Sequence, residues 1–469
     1  MTTVAVLDVG SSSLRASLVD ESLAVLASYA TPLQLLREGT ANVTFDPMEM
    51  LHRCQQLLDK VASAGSFDRI AITNQRSSAI AFERNRPRAI GMAISWEDLR
   101  TASQCLALSR AGAAFAPNQS ATKFAWLLDR YGSEYPDLMV GTIDTCLTFA
   151  LTEGRVLATD ATNAAMTGLV DSSGVRWDTS KLELLGMSID NLAPIIDVVA
   201  NRGDYITANG PASIMVTLAD QQASLAGQRA KAKVTLGTSA VADIDLAEDT
   251  PRYDRRGPQG TFPIITATAS GRATFGLEAF WMNAGSAIGW LVRNGLLNSP
   301  DDSEQVAAKA IPEAIPTVVP AHSGIGAPIW DFGGRCVIAN LAPTAGRPEI
   351  VHGFLLGIAC AAADLIGALT HDSSARLELI GLDGKVASNT IVASALAALT
   401  PQPLVLSPSP EATTLGAARL ALGIPREALP RGRIVEPGDT AFLAHYYEQY
   451  HQGLELAREA LPALSRVSF

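Results

Sequence analysis

Apolar and polar positions along this chain follow two alternating rhythms. Short β-branched and apolar runs at residues 4–9, 16–19, 69–73 and 79–82 predict strands. Residues 47–62 carry the spacing of an amphipathic helix, with Asp46 placed as its N-cap. A second helix is expected to start near Thr122 and to carry Trp126, Leu127 and Leu128. The later half repeats the scheme, with strands at 233–236 and 241–244 and a helix from about 276 to 292. Further helices are expected near 350–369, 389–399, 413–420 and 440–460. Mixed sheets flanked by helices, used twice, predict an α/β protein of two duplicated domains. A chain of 469 residues also exceeds what one core usually supports. The expected division is 1–228 and 229–469, with a hinge near 227–232 and the active site in the interdomain cleft.

Each half contains the same punctuation. Val6-Leu7-Asp8-Val9 leads into Gly10-Ser11-Ser12-Ser13, and Val234-Thr235-Leu236 leads into Gly237-Thr238-Ser239. Such turns expose successive backbone N–H groups and hydroxyls, which is the chemistry that cradles phosphate oxygens. Upstream of the second turn stands Ala219-Asp220-Gln221-Gln222, a lone acid closing an apolar run. One Gly-Ser-Ser turn alone is an ordinary hairpin. Two of them, each with an aspartate before it, suggest a duplicated domain closing on one nucleotide from both sides.

Composition narrows the class. Hydrophobic residues make up 48% and charged residues 18%, as in globular enzymes. The net charge of −11 argues against a nucleic-acid partner. Five widely spaced cysteines without a Cys-x-x-Cys read as reduced thiols of a cytoplasmic protein. No basic segment precedes the opening strand, so no signal peptide is expected. The apolar run from Phe354 to Ala363 is too short for a membrane span and reads as a buried helix. His445 and His451 read as surface or interface residues, which leaves room for a homodimer.

Five collinear segments resemble the FGGY carbohydrate kinases over nearly the whole chain. They are Asp8-Val9-Gly10-Ser11-Ser12-Ser13-Leu14-Arg15; Asn74-Gln75-Arg76-Ser77 with Trp96-Glu97-Asp98-Leu99-Arg100; Asp220-Gln221-Gln222 with Gly237-Thr238; Gly324-Ile325-Gly326-Ala327-Pro328; and Asp383-Gly384 with Asn389 and Leu415-Gly416-Ala417. The wording is similar to the glycerol kinase branch. The resemblance implies the actin-like ATPase (ribonuclease H-like) fold, ATP and Mg²⁺, and transfer of the γ-phosphoryl group to a sugar or polyol hydroxyl.

By that resemblance Asp220 is the general base, because a poorly nucleophilic hydroxyl needs a carboxylate to accept its proton. Read from the residues alone, Asp220 would be the N-cap of the helix that follows. Asp8, with Asp220, suits magnesium, which keeps its waters and takes few carboxylates. Gly10, Ser11, Ser12, Ser13, Arg15, Gly237 and Thr238 would serve the phosphates, and Gly285, Gly384, Lys385 and Asn389 the adenine end. Arg76, Ser77, Trp96, Asn118 and Gln221 would line the acceptor site, although for Trp96 a core position is the stronger reading.

Departures from the family pattern set further expectations. Lys385 replaces the second glycine of Asp-Gly-Gly, Gly289 stands where glycerol kinases carry glutamine, and Leu356 stands where many members have the glutamate of Leu-Glu-Gly. Ser77 replaces the glutamate that grips glycerol, and Asn118 aligns with a tyrosine. A site stripped of its hydroxyl-binding partners loses selectivity steeply. A pentulose or tetritol is therefore expected rather than glycerol. The alternative is a catalytically impaired kinase-fold sensor of sugar or nucleotide.

Overall fold

In the computed structural model, which describes residues 2–39, 41–247, 249–251, 255–409 and 411–467, the first hairpin is Thr3–Val9 (β1) and Ser13–Asp20 (β2). Val25–Pro32 (β3) extends it, and helix α1, Pro47–Ala64, covers one face. Asp46 caps α1 by accepting from the amides of Met48 and Glu49. Strands β4 (Arg69–Asn74), β5 (Asp204–Thr207) and β6 (Gly210–Ala219) complete a six-stranded sheet in the order β5-β6-β4-β1-β2-β3. The short helix α2, Ala161–Ala165, lies beside β6. A separate five-stranded sheet, built from residues 36–141, carries Ala79–Glu83 and Ala89–Ile94.

Helix α3, Asp220–Ala226, leads out of β6 toward the second sheet. That sheet contains β7 (Ala232–Leu236), β8 (Ala240–Ala247), β9 (Phe262–Ala269) and β10 (Arg272–Trp281). After helices α4 (Gly285–Arg293) and α5 (Arg347–Ser373) come β11 (Ile380–Asp383), helix α6 (Thr390–Leu399) and β12 (Leu404–Leu406). Helix α7 (Ala412–Leu422), β13 (Arg433–Ile434) and helix α8 (Thr440–Ala457) follow. The order is β9-β10-β8-β7-β11-β12-β13. The duplication is explicit in the pairings. β3-β2-β1-β4-β6 and β10-β8-β7-β11-β12 share one pattern, two antiparallel steps followed by two parallel ones. This is the expected two-domain α/β architecture.

One expected helix begins as a strand. Residues 276–281 bury Leu277, Ala279 and Trp281 at period two and form the end of β10, so helix α4 starts only at Gly285. Pairing with β8 and β9 on both edges overrode a local pattern compatible with either element. The apolar run at 354–363 lies inside the longer α5. This helix meets the length and hydropathy of a membrane span, yet 78% of its apolar window is buried in the protein. It is the central core helix of the second domain.

The chain crosses between domains three times: out along α3, back at α7, and out again to β13 and α8. Helix α7 follows the second sheet in sequence, but its Leu415, Ala417, Ala418 and Ala421 pack on Val4, Val6, Ala71, Val216 and Leu218 of the first. It also packs along α3.

Candidate active site

The carboxyl ends of the parallel strands β1, β4 and β6 converge, the place where open α/β sheets bind ligands. Asp8 sits near the end of β1, Asn74 ends β4, and Ala219 ends β6 immediately before Asp220. The Gly10 turn closes with its amide donating to the Ser13 carbonyl at 2.9 Å. Ser11, Ser12 and Ser13 follow at the β1–β2 corner. In the second domain the Gly237 amide closes the equivalent turn on the Ser239 carbonyl at 3.0 Å.

Asp8 stands across the hairpin from Arg15 and beside Thr73 of β4. Burial first, then the charge of Asp220, pushes its carboxyl up to about 7, against the opposing pull of Arg15. Arg15 itself forms an ion pair with Glu411 at the start of α7. Asp220 is the first residue of α3 rather than its N-cap; that position belongs to Ala219. Its Oδ1 accepts from the Gln221 amide at 2.8 Å. Burial raises its proton affinity, and Arg76, the Gln221 amide and Lys233 hold it back.

Arg76 lies 3.7 Å from Asp220 through Nε and clamps Glu278 of β10 with both terminal nitrogens, Nη2 donating to Oε1 at 2.8 Å. Glu278 is 1% exposed and stands opposite Asp243 in the β8–β10 register. Asp243 pairs with Lys233 at 2.8 Å, both side chains wholly buried. Burial raises the Asp243 carboxyl, with Lys233 opposing and Glu278 reinforcing. Lys233 also donates to Gln221 Oε1 at 2.8 Å, so Gln221 is tied into this chain of charges. Glu278, Lys233, Asp243 and Lys123 were missed as site residues. The available signal was a charged side chain inside an otherwise apolar strand, as in Leu277-Glu278-Ala279. The charged side chains gathered around Arg76 therefore come from both halves of the chain.

Ser77 adopts a left-handed backbone (φ 64°) and donates to the Met166 carbonyl at 3.0 Å. Trp96 is half-buried and belongs to none of the core clusters, contrary to the core reading. The buried Lys123 fixes its loop by donating to the Ser95 and Trp96 carbonyls, each at 3.0 Å. Burial pulls the Lys123 ammonium down to about 7, with Asp98 opposing. Asn118 is exposed in the loop before the helix at Ala121–Tyr131.

At the other end, α4 docks on the second turn. The amides of Ala284 and Ser286 donate to the Thr238 carbonyl, and that of Gly285 donates to Gly237. Gly384 needs its glycine: φ is +93° and a Cβ would lie 2.5 Å from the Leu236 carbonyl oxygen. Lys385 is exposed and pairs with Asp301 at 2.8 Å. Asn389 caps α6, accepting from the amides of Ile391 and Val392, and reaches Ser303 Oγ. Leu356 is a core residue of α5, so its match to a site glutamate does not hold; the Leu-Glu pair facing Arg76 is Leu277-Glu278.

No cluster of three or more His, Cys, Asp or Glu suited to a metal occurs among the described residues. A hydrated magnesium held mainly by phosphates does not require one. The fit rests instead on two mutually repelling acids, Asp8 and Asp220. Thr73 Oγ1 and both side-chain atoms of Gln75 and Gln222 are buried without hydrogen-bond partners. Thr73 stands beside Asp8 in the β1–β4 register and Gln222 follows Asp220 by two residues; orphaned polar atoms beside these two acids suit a cation with its waters.

The N-terminal domain model of the FGGY family of carbohydrate kinases matches residues 3–225, and the C-terminal domain model matches 232–423. The chain belongs to the FGGY family of carbohydrate kinases. It is accordingly an ATP-dependent phosphotransferase with a hydroxyl acceptor. It is 31% identical to a glycerol kinase of Shewanella sp. (strain ANA-3) over 451 residues, 89% of each chain. It is 33% identical to one of Xanthobacter autotrophicus over 448 residues, 88% of each. In fold it is similar to Plasmodium falciparum glycerol kinase solved with ADP, with a TM-score of 0.86, 23% identity and coverage of 97% of this chain and 98% of that one. Xylulose kinase from Lactobacillus acidophilus superposes with a TM-score of 0.82 at 20% identity, covering 99% of each.

Proposed function

We propose that this kinase phosphorylates a small sugar or polyol, a pentulose or tetritol in preference to glycerol, with Asp220 as general base. The observation that carries the reading is the Asp220–Arg76–Glu278 arrangement between the two turns. Its carboxylate partner for Arg76 comes from across the cleft, while Ser77 offers only a small hydroxyl engaged with Met166. Curated relatives named glycerol kinase favour glycerol; the loss of a carboxylate at Ser77 argues for a different acceptor.

In this reading residues 1–228 bring the acceptor site and first phosphate turn, and 229–469 bring the nucleotide site. The Gly10–Ser13 and Gly237–Thr238 turns hold the phosphates, with Arg15 leaving Glu411 for them. Gly285, Gly384 and Asn389 border the adenine end, with Lys385 at its rim. Arg76, Gln221, Trp96 and Asn118 orient the acceptor. The acceptor oxygen bonds to the γ-phosphorus as the bond to the β,γ-bridging oxygen breaks, and the hydroxyl proton passes to Asp220. The raised proton affinity of Asp220 suits that step. Asp8 and Asp220 would hold Mg²⁺, which when bound neutralises phosphate charge. Five free cysteines support a reducing, cytoplasmic setting.

The test is a coupled ADP-release assay over ketoses, aldoses and polyols, with Asp220→Asn as control. Fastest turnover on a pentulose or tetritol supports the reading. Glycerol as best substrate overturns the acceptor assignment, and no turnover on any acceptor favours the impaired sensor.

A further inference from the structure

Behind the site lies a buried polar hub that touches neither acid directly. Asp160 precedes helix α2 and is wholly buried. It accepts four hydrogen bonds: from the Thr162 amide at 2.8 Å and the Thr162 hydroxyl, from the Asn163 amide at 3.2 Å, and from Asn163 Nδ2 at 2.8 Å. Thr162 and Asn163, also wholly buried, hand this anchor on to two different strands. Thr162 Oγ1 accepts from the amide of Ala219 at 2.9 Å, the residue immediately before Asp220. Asn163 Oδ1 accepts from Asn74 Nδ2 at 2.9 Å, and Asn163 Nδ2 donates back to Asn74 Oδ1 at 3.3 Å. Asn74 begins the Asn-Gln-Arg-Ser segment, whose Ser77 is tied to Met166, one residue beyond α2.

One hub thus sets the ends of β4 and β6, and with them Arg76 and Asp220. Each strand end could otherwise slide along its neighbour, since the β4–β6 register already shifts between Ile214 and Val216. The Thr162 hydroxyl has its proton committed to Asp160 and a lone pair committed to Ala219. That direction is enforced because Asp160 receives only donors.

Given the kinase reading above, on which this role rests, we propose that Asp160 and Thr162 are positioning residues that fix the distance between the base Asp220 and the acceptor-orienting Arg76. Displacing a reacting group by about 1 Å can cost on the order of 10²-fold in rate. The Gly237–Thr238 turn and the adenine end lie in the other domain and are not held by this hub.

The experiment compares wild type with Thr162→Val, Thr162→Ser and Asp160→Asn at a temperature well below each melting point. Thr162→Val keeps shape but removes the link, Thr162→Ser restores it, and Asp160→Asn turns an amide donor toward groups that are all donors. On the best acceptor, Thr162→Val should lose about 10²-fold in kcat with the KM for Mg-ATP unchanged, and Thr162→Ser should recover most of it. Hydrogen-exchange mass spectrometry should show the Ala219 amide losing protection in Thr162→Val and regaining it in Thr162→Ser. Retained kcat in Thr162→Val, a loss of kcat with Ala219 still protected, or failure of the serine to rescue overturns the proposal. If wild type turns over no acceptor, the kinase reading has failed; unchanged Ala219 protection in Thr162→Val then overturns the hub by itself.

Discussion

Gly416 of α7 lies so close to Ala223 of α3 that a Cβ added to it would stand 1.8 Å from the Ala223 carbonyl oxygen. Gly227 answers from the other side, its notional Cβ falling 2.1 Å from the Ala412 carbonyl oxygen. The two helices that join the domains therefore meet backbone to backbone. Because α3 opens with Asp220, the depth of this crossing also sets where that carboxyl stands.

Gly416→Ala should destabilise the protein by about 1–3 kcal/mol or more, since the clash is with backbone that cannot rotate aside. Thermal denaturation gives the stability change. Turnover of the folded fraction should fall as α3 is pushed away, and a variant with normal melting point and turnover would show that the crossing is loose.

Asp220→Asn should leave the fold intact. The cap position is Ala219, and an asparagine Oδ1 accepts from the Gln221 amide as the aspartate does. Phosphoryl transfer should nonetheless fall on the order of 10²–10⁴-fold, the usual worth of a positioned base. Melting temperature and turnover measured on one preparation check both halves of this expectation.

Asp8 carries a pH signature. Its carboxyl titrates near 7 in the folded chain against 3.8 ordinarily, so the folded state binds the extra proton between those values. This group therefore lowers stability as pH rises from about 4 to 7, and the loss persists above. Asp8→Asn should remove that component, raising the melting temperature relative to wild type more at pH 8 than at pH 5 in metal-free buffer. Added Mg²⁺ should raise the melting temperature of wild type at pH 8, less at pH 6, and hardly at all in the variant.

Glu278→Gln breaks the bidentate clamp on Arg76 and leaves a guanidinium facing an amide. Breaking a buried pair costs about 3–5 kcal/mol, and the partial exposure of Arg76 places this one near the lower end. Denaturant titration measures that loss. With Arg76 orienting the acceptor as proposed, the KM for the acceptor should rise while the KM for Mg-ATP stays near wild type.

Ser77→Glu tests the acceptor assignment within a confined space. Position 77 is 4% exposed and left-handed, so the larger side chain carries both a burial and a backbone penalty. Combined with Asn118→Tyr, it should raise glycerol turnover relative to the native acceptor while lowering the melting temperature. A fall in glycerol turnover would show that residue 77 does not reach the acceptor.

The sequence by itself determined the local features. Period-two runs, the Asp46 cap, the two glycine-hydroxyl turns and the aspartates ahead of them all depend on neighbours a few residues away, and all were legible. Repetition of the strand pattern likewise announced the duplicated sheet. Only the tertiary structure decided the rest, because it depends on partners far apart in the chain. Arg76 and Glu278 are 202 residues apart, and no local pattern says that a charge in β10 will meet the loop after β4. Residues 276–281 became strand because β8 pairs with all of them and β9 with 276–278. Asp220 moved from cap to first helical residue because the strand ahead of it ends at Ala219, whose amide is held by Thr162. Lys385 turned outward to Asp301, and α7 crossed back to the first domain, because burial of apolar surface and pairing of charge are settled over the whole assembled chain.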